Sequence, residues 1–102
     1  MYRASDERDN ADWLAQLERA ADRLELDTEA RSRARDIFLS TVPEDDRSKR
    51  PTLAASLYVG SLVAGDEKSQ QAVADAVGVS RLSVQQRWKD QLEAAGLDPP
   101  GW

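Results

Sequence analysis

Apolar residues recur at helical spacing in successive stretches of the chain. From about Ala11 to Leu24, the residues Trp13, Leu14, Leu17, Ala20, Ala21 and Leu24 fall at steps of three and four, which predicts an amphipathic helix capped by Asp9, Asn10 or Asp12. Its outer face carries Glu18, Arg19, Asp22 and Arg23, a solvated surface with ion pairs along the helix. A second helix, capped by Asp27 or Thr28, runs to about Thr41 with Ala30, Ala34, Ile37, Phe38 and Thr41 as its buried stripe. Val42-Pro43 ends it, and Glu44-Asp45-Asp46-Arg47 reads as an exposed linker. The third helix differs in kind, because Pro51 to Gly65 contains no charged residue. A helix apolar nearly all round must be wrapped by its neighbours, and this one is too short to span a bilayer. Ser48 is the expected N-cap, Pro51 sits in the first turn, and Ala54, Ala55, Ser56, Gly60 and Ser61 leave room for other helices to come close.

The stretch from Ser69 to Leu92 has a different grammar. Val73, Ala74 and Val77 share one helical face, Gly78-Val79 breaks the period, and Val84, Trp88 and Leu92 resume it at steps of four. Gly78 can take the left-handed backbone that closes a helix, and Ser69 and Ser80 are N-caps for the helices on either side. Two short helices joined by a tight turn form a helix-turn-helix, whose second helix enters the major groove in DNA-reading proteins. With Val84, Trp88, Gln91, Leu92 and Ala95 as the buried stripe, the opposite face carries Leu82, Gln86, Lys89 and Glu93, with Gln85 on its flank and Arg81 near the cap. Leu82 suits a thymine methyl, and Gln85 or Gln86 suits an adenine edge. The bland alternative is a leucine that packs on a neighbour or is simply exposed. The candidate DNA-facing set is therefore Arg81, Leu82, Gln85, Gln86, Lys89 and Gln70, with Ser69 and Ser80 near phosphates at the helix N-termini.

Composition narrows the choices. At 102 residues the chain holds one domain, 11–96, with the helix-turn-helix at 69–95, a flexible N-terminus at 1–10 and a tail at 97–102. Trp102, after Pro-Pro-Gly, is expected to fold back or stand exposed. There is no cysteine and no histidine, which excludes disulfides, zinc ribbons, thiol chemistry and imidazole catalysis; no cofactor or metal is expected. The adjacent acids Asp45 and Asp46, without further oxygen ligands, read as a loop rather than a cation site. No segment approaches a membrane span and the amino terminus is charged, so a cytoplasmic location is expected.

A net charge of −5 argues superficially against a nucleic-acid partner. Its distribution qualifies that objection: residues 1–46 hold thirteen acids against seven bases, and residues 47–102 hold six against seven. Eleven of the fourteen bases are arginine and aspartate outnumbers glutamate, a composition expected of a salt-adapted organism.

Particular residues tie the second half of the chain to a known family. Arg47-Ser48 leading to Ala54-Ala55-Ser56-Leu57-Tyr58, the turn from Gln71-Ala72-Val73-Ala74 to Gly78-Val79-Ser80, and Ser83-Val84 followed by Arg87-Trp88-Lys89 resemble the cyclin-like repeat of archaeal transcription initiation factor B, the counterpart of eukaryotic transcription factor IIB. The resemblance implies an all-α, five-helix cyclin box whose helices 4 and 5 form the helix-turn-helix. It implies promoter DNA and the TATA-binding protein as partners. The family's base-touching positions match Leu82, commonly valine there, and Gln85, commonly arginine. Glutamine lacks arginine's bidentate reach to guanine, so the family's sequence preference does not carry over. Without cysteines, and with room for one repeat rather than two, the chain is expected to be a stand-alone relative with a regulatory or accessory role.

Two functions from different classes follow. One is a DNA-binding transcription regulator that gains affinity as a homodimer or in a complex. The other is a cyclin-type protein-interaction module that never touches DNA, which the overall acidity favours. An enzyme is the weakest reading, since no serine, lysine or carboxylate lies beside an evident base.

Overall fold

The charge-free segment around Leu57 lies where its pattern requires. In a computed structural model, which describes residues 10–97, helix α3 (Asp46–Val63) packs against every other helix: α1 (Ala11–Arg23), α2 (Thr28–Ser40), α4 (Gln70–Val77) and α5 (Arg81–Ala94). Residues Thr52 to Leu57 and Val59 to Ser61 are all buried, so the helix is enclosed on every side over three turns. No strand occurs among the described residues, and the fold is the all-α cyclin-like one. No described helix is long and apolar enough to cross a membrane.

Small residues decide how closely the central helix meets its neighbours. A Cβ on Gly60 would lie 2.8 Å from the Ala30 carbonyl oxygen and 2.8 Å from the Ala34 nitrogen, so α2 and α3 cross backbone against backbone. Such a crossing admits only glycine at the contact point. The core divides around α3. A larger cluster joins Leu14, Leu17, Phe38, Leu53, Leu57 and Val73, and a smaller one joins Ile37, Val59, Trp88 and Leu92. Tyr58 meets Trp88 edge-on at 5.7 Å between ring centres. Gln91, buried on α5, donates from Nε2 to Thr41 Oγ1 at 2.7 Å and to Ser56 Oγ at 3.0 Å, tying α5 to the end of α2 and the middle of α3.

Local signals fixed most helix ends, with three corrections. Asp27, Ser69 and Ser80 cap α2, α4 and α5, accepting from the amides of Ala30 (2.8 Å), Ala72 (3.0 Å) and Ser83 (3.2 Å). Helix α3, however, begins at Asp46, and its cap is Asp45, which accepts from Arg47 N at 3.0 Å. Ser48 is therefore not a cap, and the expected linker contains the first turn. Pro51 sits one turn inside, where its missing amide leaves only the carbonyl of the exposed Arg47 without a helical donor. The cap of α1 is Asn10, whose backbone oxygen accepts from Leu14 N at 2.9 Å and whose side chain does not cap the helix. Ala95, expected in the buried stripe of α5, is exposed because the helix stops at Ala94 and the chain turns through Gly96. Leu39 joins the buried face of α2, whereas Thr41 is half-buried beyond the helix end. Asp9 as a cap and the placement of Trp102 lie outside the described residues.

Candidate nucleic-acid interface

Helices α4 and α5 follow one another through a tight turn at Gly78 and Val79. Gly78 ends α4 with φ 87°, a backbone any side chain would strain, and its amide donates to Ala74 O at 2.8 Å. Half-buried Val79 packs on the larger core cluster, and Ser80 starts α5. The buried side of α5 holds Val84, Trp88, Gln91 and Leu92; that side sets the rotation of the helix and so which residues face outward.

The outward residues fall in two rows. Arg81, Gln85 and Lys89, at steps of four, border a hollow of about 350 Å³ together with Gln70 from the start of α4 and the edge of Trp88. Arg81 Nη1 reaches Gln70 Oε1 at 3.5 Å across the mouth, a long contact, and Lys89 Nζ stands 5.7 Å from the Trp88 ring centre. The structure thus brings four of the expected site residues together around one depression. Leu82 and Gln86 lie in the adjacent row, exposed and outside the hollow. Leu82 is 55% exposed, more than any other large apolar side chain described. Ser69 and Ser80 stand at the two helix starts with their hydroxyl oxygens accepting from their own helices, and the Ser80 hydroxyl also pairs with that of Ser83 at 3.0 Å.

The electrostatics of this face differ from the rest of the molecule. Helices α1, α2 and α3 each carry an acid in the first turn, Asp12, Glu29 and Asp46, whereas α4 and α5 carry none. From Arg81 to Lys89 there are three bases and no acid; Asp90 and Glu93 follow only towards the C-terminal end. A net-acidic protein therefore presents a locally basic edge, with two serine-capped helix N-termini beside it.

Reading the sequence missed two features. Trp88 is both core and site, since its buried ring also walls the hollow. The charges on α1 do not pair along that helix: Glu18 and Asp22 both reach Arg31 of α2, at 3.3 and 2.6 Å, and Arg23 donates to the Ala76 carbonyl at 2.8 Å. The hydrogen bond that Arg31 donates to the Asp22 carboxylate holds its guanidinium above its ordinary pKa. Long-range partners of this kind leave no mark in local spacing, although Gln16, Arg19 and Arg23 at i, i+3 and i+7 do share one face.

Comparison with known proteins supplies the context for this geometry. Residues 7–94 match the transcription factor TFIIB repeat. The chain belongs to that family. It is 37% identical over 82 residues to transcription initiation factor IIB of Haloarcula vallismortis, which covers 78% of this chain and 72% of that protein. It is 38% identical over 77 residues to transcription initiation factor IIB 7 of Halobacterium salinarum, covering 72% of this chain and 24% of that one. Against transcription initiation factor IIB 2 of Thermococcus kodakarensis the identity is 31% over 87 residues, or 82% of this chain and 28% of the relative. The chain thus spans about a quarter of the length of the latter two. These relatives are named as transcription initiation factors, not enzymes, and the first two come from halophilic archaea, in keeping with the acidic, arginine-rich composition.

Proposed function

We propose that this TFIIB-type repeat is a DNA-binding transcription regulator or accessory factor, and that α5 reads promoter DNA from the major groove. The observation that carries this reading is Leu82, an apolar side chain 55% exposed in the first turn of α5 and flanked by Arg81, Gln85, Gln86 and Lys89. Packing gives no reason for an exposed leucine there, because the helix is anchored through Val84, Trp88, Gln91 and Leu92 on its other side. Recognition does: leucine meets a thymine methyl, a glutamine pairs with an adenine edge, and the basic pair with the two helix starts hold phosphates. A single unit of this size gains affinity from a partner, and the TATA-binding protein or a second copy of the chain fills that role.

A second reading has its own observation. Tyr58, Leu62, Glu67 and Trp88 border another hollow, about 240 Å³, which suits a protein segment with an apolar side chain. In that case the domain docks proteins and leaves DNA alone.

Selection from a pool of randomised duplexes separates the two. Enrichment of one motif, lost by the Leu82→Ala/Gln85→Ala protein, supports base reading by α5. A folded protein that enriches nothing refutes it and favours the docking module.

A further inference from the structure

On the far side of α4 from its N-terminus, three arginines line one hollow where α1, α3 and α4 meet. Arg19 and Arg23 of α1 and Arg50 of α3 border this space of about 190 Å³ together with Gln16 and the last residues of α4, and no carboxylate of a described residue lines it. In a chain of nineteen acids and fourteen bases that is an unusual neighbourhood. The acids nearest along α1, Glu18 and Asp22, are drawn to Arg31 on the opposite side.

Two of the three arginines are already held in place. Arg23 Nη1 donates to Ala76 O at 2.8 Å, and Arg50 Nη1 donates to Val77 O at 3.3 Å while its guanidinium lies 5.6 Å from the Trp13 ring centre. Binding the carbonyl end of α4 explains these two contacts but not Arg19, which makes no hydrogen bond or ion pair with a described residue. A guanidinium has five N–H donors, so each anchored arginine keeps most of its fork for a second acceptor. Three like charges facing one depression repel one another, and an oxyanion seated among them relieves that repulsion. The groove lies close to α5. Val77 lies three positions before the cap Ser80, at most about 11 Å from Cα to Cα.

We propose that Arg19, Arg23 and Arg50 form an oxyanion site that takes a phosphate of the DNA backbone next to the stretch read by α5. This rests on the DNA-reading assignment of α5. Arginine forks match phosphate oxygens in pairs, and such a contact adds affinity and fixes the register without adding sequence preference. The site and α5 then grip one duplex at two places.

The test uses the whole chain, wild type beside Arg19→Gln and Arg19→Lys. Arg19 makes no hydrogen bond or ion pair with a described residue, so both variants should melt with the wild type. Inorganic pyrophosphate, followed by NMR at the Trp13 indole and the arginine Nε–H groups, should give saturable shifts that Arg19→Gln weakens at least severalfold and Arg19→Lys partly restores. On a fixed duplex, Arg19→Gln should lower the slope of log affinity against log salt by about 0.9 and leave the preferred sequence unchanged. If pyrophosphate moves neither Trp13 nor the arginines, there is no oxyanion site. Pyrophosphate binding with an unaltered DNA slope overturns the backbone as the source and leaves a free phosphate compound as the ligand. A wild type that binds no duplex at all overturns the reading of α5 and the DNA source with it, while the pyrophosphate titration still decides whether the site exists.

Discussion

Helices α3 and α5 are neighbours under opposite constraints. Residues Thr52 to Leu57 of α3 are all buried, and at Gly60 even a methyl group would collide with backbone. Helix α5 is held on one side only, by Val84, Trp88, Gln91 and Leu92, while Arg81, Leu82, Gln85, Gln86 and Lys89 face water. The stretch of α3 from Thr52 to Ser61 is accounted for by packing. The outward residues of α5 are not, and a face with little structural duty is where recognition can be placed at little cost in stability.

The sharpest break in this contrast is at Trp88, the side chain that belongs to both regimes. Trp88→Ala removes the ring that fills the smaller core cluster and meets Tyr58, so it should cost about 3–5 kcal/mol in a denaturant melt. A smaller loss would mean that α5 is anchored elsewhere. Gly60→Ala adds one methyl where the neighbouring atoms are backbone; forcing α2 and α3 apart should cost about 1–3 kcal/mol, against the gain in helix propensity that alanine brings at an open site. A stabilised variant would show that the crossing is looser than 2.8 Å implies.

Gln91→Ala tests the polar tie between the two helices. It removes the donor to Thr41 and Ser56, and the expected loss is about 1–3 kcal/mol, measured by equilibrium unfolding; near-neutrality would make the tie dispensable. The smallest effect lies at the exposed start of α3. Lys49 Nζ is 2.8 Å from Asp46 and holds its carboxyl below the usual carboxylate range. A depressed carboxylate pKa stabilises the folded state above the unfolded pKa, and that contribution disappears as the pH falls through the folded value. Asp46→Asn should therefore melt slightly below the wild type at neutral pH and together with it in acid. A difference that persists or grows in acid would contradict the pairing.

Much of this contrast was legible in the sequence, for physical reasons. A charge-free run of fifteen residues, Pro51 to Gly65, has to be enclosed, and a glycine followed two residues later by serine between two apolar periods specifies a left-handed turn and a cap. The start of α3 was not legible because Ser48 ahead of Pro51 is as good a local signal as Asp45, and only the bond that the Arg47 amide donates to the Asp45 carboxylate decides. The end of α1 carries no glycine. Glu25 takes φ 54° there because the Leu26 amide closes onto Ala21 O at 3.1 Å, and Leu26 is buried in the core. At the candidate site, periodicity alone placed Leu82, Gln85, Gln86 and Lys89 outward. The hollow bordered by Trp88 and Gln70, and the arginine cluster across α4, depend on contacts between distant segments that spacing does not encode.

The contrast between the two helices is tested most directly by a single paired measurement on Leu82→Ala/Gln85→Ala: its melting midpoint and its affinity for the duplex that the wild type selects. A face free of structural duty that reads DNA predicts a midpoint within a few degrees of the wild type and an affinity at least about tenfold lower, the scale of one lost base contact. Unchanged affinity, or a melting loss as large as that of Trp88→Ala, would contradict it.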